Sequence, residues 1–144
     1  MGVIVVGVDG SEGSAHALEF AIKEAALRRV KLRLVSAWEI PASVLASVVA
    51  SKEFYEEFRE TAVTVAQEAA ARVAELEPSV EHEEIVVEGQ AAKALLANSA
   101  DAELLVVGRR GHGSFREMLL GSISRQVVVH AKGPLVIVPH PAQE

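Results

Sequence analysis

Glycine and serine cluster in two short stretches of the chain, and each stretch follows an apolar run. The first is "VDGSEGS", residues 8–14, and the second is "GRRGHGSFREMLLGSIS", residues 108–124. Glycine adopts positive φ without strain and lets the backbone approach a ligand closely. The N–H groups of a glycine-rich loop that leads into a helix bind phosphate. The two stretches therefore predict a site for a phosphate-bearing ligand.

The second stretch concentrates positive charge in an otherwise acidic protein. Its first six residues include Arg109, Arg110 and His112, whereas the formal net charge of the chain is -6. Two interpretations stay open: the side chains assist the backbone amides around a phosphate, or they form a solvated arginine pair and a turn histidine. The acidic balance argues against nonspecific nucleic-acid binding, which needs a broad basic surface.

Length and composition indicate one domain spanning residues 1–144. Half of the residues are apolar, 4% are aromatic, and there is no cysteine, which excludes disulfides and thiolate zinc sites. The start "MGVIVVGVDG" is typical of a strand and not of a signal peptide. No stretch approaches the ~20 apolar residues of a membrane span. We therefore expect a cytoplasmic protein with no membrane partner.

The apolar pattern predicts five strands separated by helices. The predicted strands are residues 2–9, 31–38, 80–89, 102–108 and 133–139. The third strand is polar enough to lie at a sheet edge. Four helices are predicted. The first follows Asp9 or Ser11, either of which can cap it, and the second runs from Phe54 to Pro78. The third is short and lies within residues 90–100, and the fourth lies within residues 114–131 with an interruption near Gly121. Residues 39–51 are expected to form a loop with a short helical turn.

This alternation predicts an α/β fold with an open-twisted, five-stranded parallel sheet and helices on both faces. Ligands of such sheets bind beyond the carboxyl ends of the strands, where the winding direction reverses. If the strand order is 3-2-1-4-5, that point lies between strands 1 and 4. The two glycine-rich stretches would then meet over one crevice.

Two established phosphate-binding motifs are missing. The sequence has no G-x-x-x-x-G-K-[ST], and no G-x-G-x-x-G follows the first strand. It does contain G-x2-G-x9-G-[ST], with Gly108, Gly111, Gly121 and Ser122. Together with "VIVVGVDGSEGSAHALEFA", "LVSAW" and "LLVVGRRGHGSFREMLLGSISRQVVVHAKGPLVIVP", this pattern resembles the ATP-binding branch of the universal stress protein family. The resemblance covers the whole chain.

The resemblance implies the 3-2-1-4-5 order of a Rossmann-like, adenine nucleotide alpha hydrolase-like fold, with ATP across the crevice. It implies Mg²⁺ or Mn²⁺ bridging the phosphates near Asp9, which also lies near the ribose. It further implies a homodimer that pairs the last strand, residues 134–139. The positions that match nucleotide contacts are Val8, Asp9, Gly10, Ser11, Ala37, Gly108, Arg109, Gly111, His112, Gly113, Gly121, Ser122, Ile123 and Ser124.

Simpler roles stay open for several of these residues. Asp9 can cap the first helix, and Ser122 and Ser124 can cap the last one. Trp38 either flanks the adenine or packs locally. For the whole protein we expect a regulatory ATP binder in stress adaptation. The alternatives are a slow ATPase or nucleotidyl-transfer enzyme, for which there is no convincing general base beyond Asp9, and a nucleotide-free dimeric scaffold.

Overall fold

Five strands and five helices make up the part of the chain that the structure describes. The structure is a computed structural model, and it describes residues 2–47, 52–109 and 120–139. The strands are β1 (Val3–Gly7), β2 (Lys31–Trp38), β3 (His82–Glu88), β4 (Leu104–Gly108) and β5 (Leu135–Val138). The helices are α1 (Glu12–Arg28), α2 (Ala42–Ser47), α3 (Lys52–Leu76), α4 (Ala91–Asn98) and α5 (Ser122–His130).

The strands form one sheet in the order β3-β2-β1-β4-β5, and every neighbouring pair is parallel. The predicted fold class and strand order are confirmed. The winding direction reverses between β1 and β4, where Val6 pairs with Val106. The carboxyl ends of these two strands therefore lie side by side, and the loops that follow them start from the same edge of the sheet.

Helices cover both faces of the sheet, as the apolar strand runs predict. On one face Ile4 and Val6 pack with Ile22 of α1 and Val73 of α3. On the other face Val5 packs with residues of α4 and α5, including Leu95 and Val127. Burial of alternate β1 side chains in two different clusters explains why the strand is apolar at every position.

Most element boundaries agree with the sequence predictions. The long helix ends at Leu76, two residues before Pro78, and begins at Lys52, slightly before the predicted Phe54. A six-residue helix, α2, occurs in the predicted loop. The polar third strand, β3, lies at a sheet edge. Of the predicted helix 114–131, residues 114–119 lie outside the described residues, and α5 begins directly after Gly121. Among the described residues, no helix is both long and apolar enough to cross a membrane.

An ion network joins β2, β3 and the end of α4. The Arg33 guanidinium donates to Glu83 at 2.7 Å and to Asp101 at 2.8 Å. It also donates to the main-chain oxygen of Asn98 at 2.7 Å, at the end of α4. Lys31 contributes a second cation to Glu83 at 3.0 Å. Hydrogen bonds from Arg33 lower the pKa of both Asp101 and Glu83 from their ordinary values.

The ion network predicts that the protein loses stability in acid. A carboxyl group whose pKa is lowered by folding contributes stability above its unfolded pKa, and that contribution disappears as the pH falls through the folded pKa. Below the ordinary pKa values of 4.5 for Glu83 and 3.8 for Asp101, the network should therefore weaken progressively. Urea midpoints between pH 7 and pH 3 measure the effect. The decrease should be smaller in Arg33→Met, and an equal decrease in both proteins would contradict the assignment.

Candidate functional site

A crevice opens at the point where the winding direction reverses. Its floor is apolar and is formed by Val35 and Ala37 of β2, Leu95 of α4 and Val107 of β4. Its rim is polar and contains the first turns of α1 and α5. Among the described residues that line the crevice, Asp9 is the one with an ionisable side chain.

The crevice brings together both glycine-rich stretches, as far as the structure describes them. The predicted site residues that line it are Val8, Asp9, Ser11, Ala37, Gly108, Gly121, Ser122, Ile123 and Ser124. Gly10 and Arg109 are described but do not line it. Gly111, His112 and Gly113 lie outside the described residues, so their predicted role stays a prediction.

A hydrogen-bond network closes the N-terminus of α1. Ser11 is the N-cap, and its hydroxyl oxygen accepts from the Ser14 amide at 3.1 Å. The Asp9 carboxylate accepts from both the amide and the hydroxyl of Ser11, at 2.9 and 2.5 Å. The Asp9 amide donates back to the Ser14 hydroxyl at 3.2 Å. Of the two predicted cap residues, Ser11 caps the helix, and Asp9 accepts the two hydrogen bonds that fix the position of Ser11.

The N-terminus of α5 has no such side-chain cap. Gly121 is its N-cap residue and has no side chain that could accept a hydrogen bond from the first turn, so no capping side chain is found there within the described part of the chain. The Gly121 amide donates to the Arg109 carbonyl at 2.8 Å. Ser124 is buried, and its hydroxyl donates to the same carbonyl at 2.7 Å. An uncapped helix N-terminus is a favourable place for an anion because its first amides lack acceptors within the helix.

Close packing between β4 and α1 sets one wall of the crevice. A Cβ built on Gly108 would lie 2.7 Å from the Gly13 carbonyl oxygen. The end of β4 and the first turn of α1 are therefore in direct backbone contact. Gly108 is the last residue of β4, and its lack of a side chain permits this contact.

Three residues near the crevice are directed away from it. Gly10 has a φ of 82° and lines a separate groove between α1 and α3. The Nε atom of Arg109 is buried without a hydrogen-bond partner, outside the crevice lining. Trp38 packs edge-to-face on Tyr55, with ring centroids 5.6 Å apart, which favours local packing over contact with a ligand.

Sequence reasoning missed six of the lining residues, which are Gly7, Ser14, Val35, Ala91, Leu95 and Val107. Ser14 had a usable signal, since it lies three positions after Ser11, where a side chain reaches back to the N-cap. Ala91 and Leu95 are four positions apart on one helix face. Nothing in their spacing indicates that this face meets the crevice, which depends on how α4 packs on the sheet.

The crevice, its parallel sheet and its two convergent helix N-termini define an α/β protein with a crevice at the switch point, the place where ligands of such sheets bind. The chain belongs to the universal stress protein family, whose family model matches residues 1–139.

Relatives and solved structures of this family align with nearly the whole chain. Universal stress protein Rv2623 of Mycobacterium tuberculosis is 34% identical over 138 residues, which cover 93% of this chain and 44% of that protein. The chain thus spans less than half the length of these curated relatives.

Two solved structures share the fold. A universal stress protein in complex with cAMP gives a TM-score of 0.73 at 27% identity and covers 98% of both chains. A universal stress protein from Archaeoglobus fulgidus in complex with dAMP gives 0.67 at 22% identity, covering 96% of this chain and 98% of the other.

Proposed function

We propose that the protein binds an adenine nucleotide in the crevice, with ATP as the ligand, and acts as a regulator in stress adaptation through the occupancy of that site. The observation that carries the proposal is a helix N-terminus whose N-cap residue, Gly121, has no side chain, on the rim of a crevice with an apolar floor. The cAMP and dAMP complexes of the two related proteins support an adenine ligand.

The two helix N-termini suggest how the nucleotide is oriented. At α1, the Ser11 and Ser14 amides already donate to protein oxygens, and the Asp9 carboxylate supplies negative charge. A phosphate there would meet like charge. At α5, Gly121 provides neither a side-chain acceptor nor a charge. The phosphates are therefore proposed to bind at α5, while the base lies on Val35 and Ala37.

Asp9 is the proposed protein ligand of Mg²⁺ or Mn²⁺. The described residues contain no group of three or more His, Cys, Asp or Glu side chains that could hold a metal ion. Mg²⁺ at phosphate sites commonly takes one or two carboxylates and completes its shell with phosphate oxygens and water. A single carboxylate on the rim fits such a bridging ion, and the bound ion would offset phosphate charge beside Asp9.

Any hydrolysis by this site is proposed to be slow. Phosphoryl transfer needs a positioned nucleophile and stabilisation of the charge on the transferred group. Asp9 is the one ionisable side chain among the described lining residues, and the amide and hydroxyl of Ser11 both donate to it. Regulation by occupancy requires only that the ligand bind one conformation or assembly better than another.

We also propose that residues 1–144 are one domain that forms a homodimer through residues 134–139. In the described sheet β5 is an edge strand, and its side chains, Leu135–Val138, are all partly exposed. An apolar edge of this kind needs a cover, which a second copy would supply. A cytoplasmic location stays a prediction.

Replacing Ile137 by lysine is expected to shift the dimer towards monomer. A charge buried in a strand-to-strand interface lacks a partner and is costly to desolvate. Light scattering over a range of protein concentrations measures the change, and circular dichroism verifies the fold because Ile137 also packs on the core. Leu27→Lys is the control, since Leu27 is 80% exposed at the far end of α1. A folded Ile137→Lys protein that stays dimeric would place the interface elsewhere.

The first test of the nucleotide proposal is to denature freshly purified protein and identify the released small molecules by mass spectrometry. Stoichiometric ATP or ADP is the expected result. If none is released, calorimetry with ATP and Mg²⁺ follows. A protein that releases no nucleotide and binds none would favour the dimeric scaffold over the regulatory binder.

A further inference from the structure

The Ser124 hydroxyl is hydrogen-bonded to main-chain carbonyls of the protein. Its side chain is 3% exposed, and its oxygen lies 2.7 Å from the Arg109 carbonyl and 3.1 Å from the Gly121 carbonyl. A serine hydroxyl has one proton to donate. While that proton is shared with these carbonyls, it is not available to a phosphate oxygen. Although Ser124 is at a position that matches nucleotide contacts in the family, its hydroxyl therefore has another role in this chain.

The Arg109 main chain connects three elements. Its amide donates to the Val138 carbonyl at 2.9 Å, at the end of β5. Its carbonyl accepts from the Gly121 amide and from the Ser124 hydroxyl. Arg109 itself directly follows β4. The first turn of α5 is thus attached through one carbonyl to the ends of β4 and β5.

We infer that Ser124 is a positioning residue, whose hydrogen bond to Arg109 orients the first-turn amides of α5 towards the phosphate. This inference rests on the proposed function. Gly121 has no side chain that could orient the start of α5. The orientation of the first turn therefore depends on the hydrogen bonds that its residues donate to the Arg109 carbonyl, at the end of β4. Without the Ser124 hydroxyl, the Gly121 amide would be the remaining hydrogen-bond donor to the Arg109 carbonyl among the described residues.

The inference predicts a signal at an amide that donates within the protein and not to the ligand, the Arg109 amide. Phosphate bound at α5 should reduce the motion of the first turn of α5. Because this turn is bonded to the Arg109 carbonyl, the hydrogen bond from the Arg109 amide to the Val138 carbonyl should then open less often. Hydrogen exchange of the Arg109 amide should then slow when AMP binds to the wild-type protein. In Ser124→Ala this slowing should be lost or strongly reduced, even at AMP concentrations that saturate the variant.

The binding test compares AMP with adenosine, which differ by the phosphate. By calorimetry, Ser124→Ala should bind AMP about tenfold more weakly, because misdirected amides lose hydrogen bonds to a charged group. Adenosine affinity should change less than about twofold, which is a difference of roughly 0.4 kcal/mol. Ser124→Thr keeps the hydroxyl and should restore AMP binding to within about threefold of the wild type.

Ser36 offers a matched control. It is 2% exposed, and its hydroxyl donates to the Ala62 carbonyl of α3 at 2.9 Å, on the sheet face opposite the crevice. Ser36→Ala also removes a buried hydroxyl from a helix carbonyl, but it should leave AMP affinity unchanged.

Each result separates the positioning role from the nucleotide site. Equal losses of AMP and adenosine, or wild-type AMP binding by Ser124→Ala, would overturn the positioning role alone. A wild-type protein that binds neither ATP nor AMP would overturn the proposed function and this role with it.

Discussion

Replacing Gly108 by alanine is expected to lower the free energy of unfolding by about 3 kcal/mol. The added Cβ would lie 2.7 Å from the carbonyl oxygen of Gly13 and 2.8 Å from its carbonyl carbon. Both are backbone atoms in the first turn of α1, so no rotamer change relieves the overlap. Either β4 or α1 must shift, and both pack against the buried core. Urea unfolding followed by circular dichroism measures the loss.

Gly133→Ala is the matched control for this substitution. A Cβ at Gly133 would meet nothing within 4 Å, and the backbone of Gly133 is outside the left-handed region. Its free energy of unfolding should stay within about 0.5 kcal/mol of the wild-type value. If Gly108→Ala unfolds at the same urea concentration as Gly133→Ala, the close approach of β4 to α1 does not exist in solution.

The contact between Gly108 and Gly13 also bears on the site. The first turn of α1 includes Ser14, which lines the crevice, and Gly13 is its direct neighbour. A shift of α1 away from β4 would therefore widen the crevice. Because one glycine serves both packing and site geometry, a stability measurement must accompany any binding measurement on Gly108 variants.

The sheet could be predicted because its physical signal is local and strong. Val3–Gly7 and Leu104–Gly108 are short, apolar at nearly every position and bounded by polar or glycine residues. Such runs are typical of parallel strands buried on both faces. The strand order could not be predicted from this pattern, because hydrophobic periodicity contains no information on which strands are neighbours. The predicted order rests on the family resemblance.

Nine predicted residues line the crevice, but the directions of the side chains could not be predicted. Gly10 follows Asp9 directly, yet its positive φ turns the chain into the groove on the other side of α1. Ser124 lies two residues after Ser122, yet its hydroxyl points into the protein. Direction depends on backbone dihedral angles and on nearby acceptors, which spacing does not encode.

Tertiary packing explains the missed floor residue Leu95. A Cβ built on Gly7 would come within 3.0 Å of a Leu95 methyl carbon, so Leu95 lies directly against the end of β1. The apolar spacing of α4 predicts that Leu95 is buried. It does not predict burial beside Gly7, because that contact joins elements far apart in sequence.

Replacing Gly121 by valine is expected to weaken ATP binding at least about 100-fold while the fold is largely retained. Gly121 has φ -74° and ψ 171°, a β-region conformation that valine adopts readily. The backbone therefore does not require glycine at this position. Gly121 lines the crevice at the start of α5, where the phosphates are proposed to bind. An isopropyl group there would occupy the space next to the first-turn amides, and calorimetry with ATP and Mg²⁺ measures the loss.

Gly133→Val adds the same side chain where a Cβ meets nothing within 4 Å, outside the crevice lining, and should bind ATP like the wild type. Urea unfolding of both variants separates lost binding from lost folding, because valine is also a poorer N-cap than glycine and should cost up to about 1 kcal/mol at position 121. Two results would be decisive. Folded Gly121→Val protein that binds ATP with wild-type affinity would remove the phosphates from α5. Folded protein that loses ATP but retains adenosine would assign the phosphates to this turn and the base to the apolar floor.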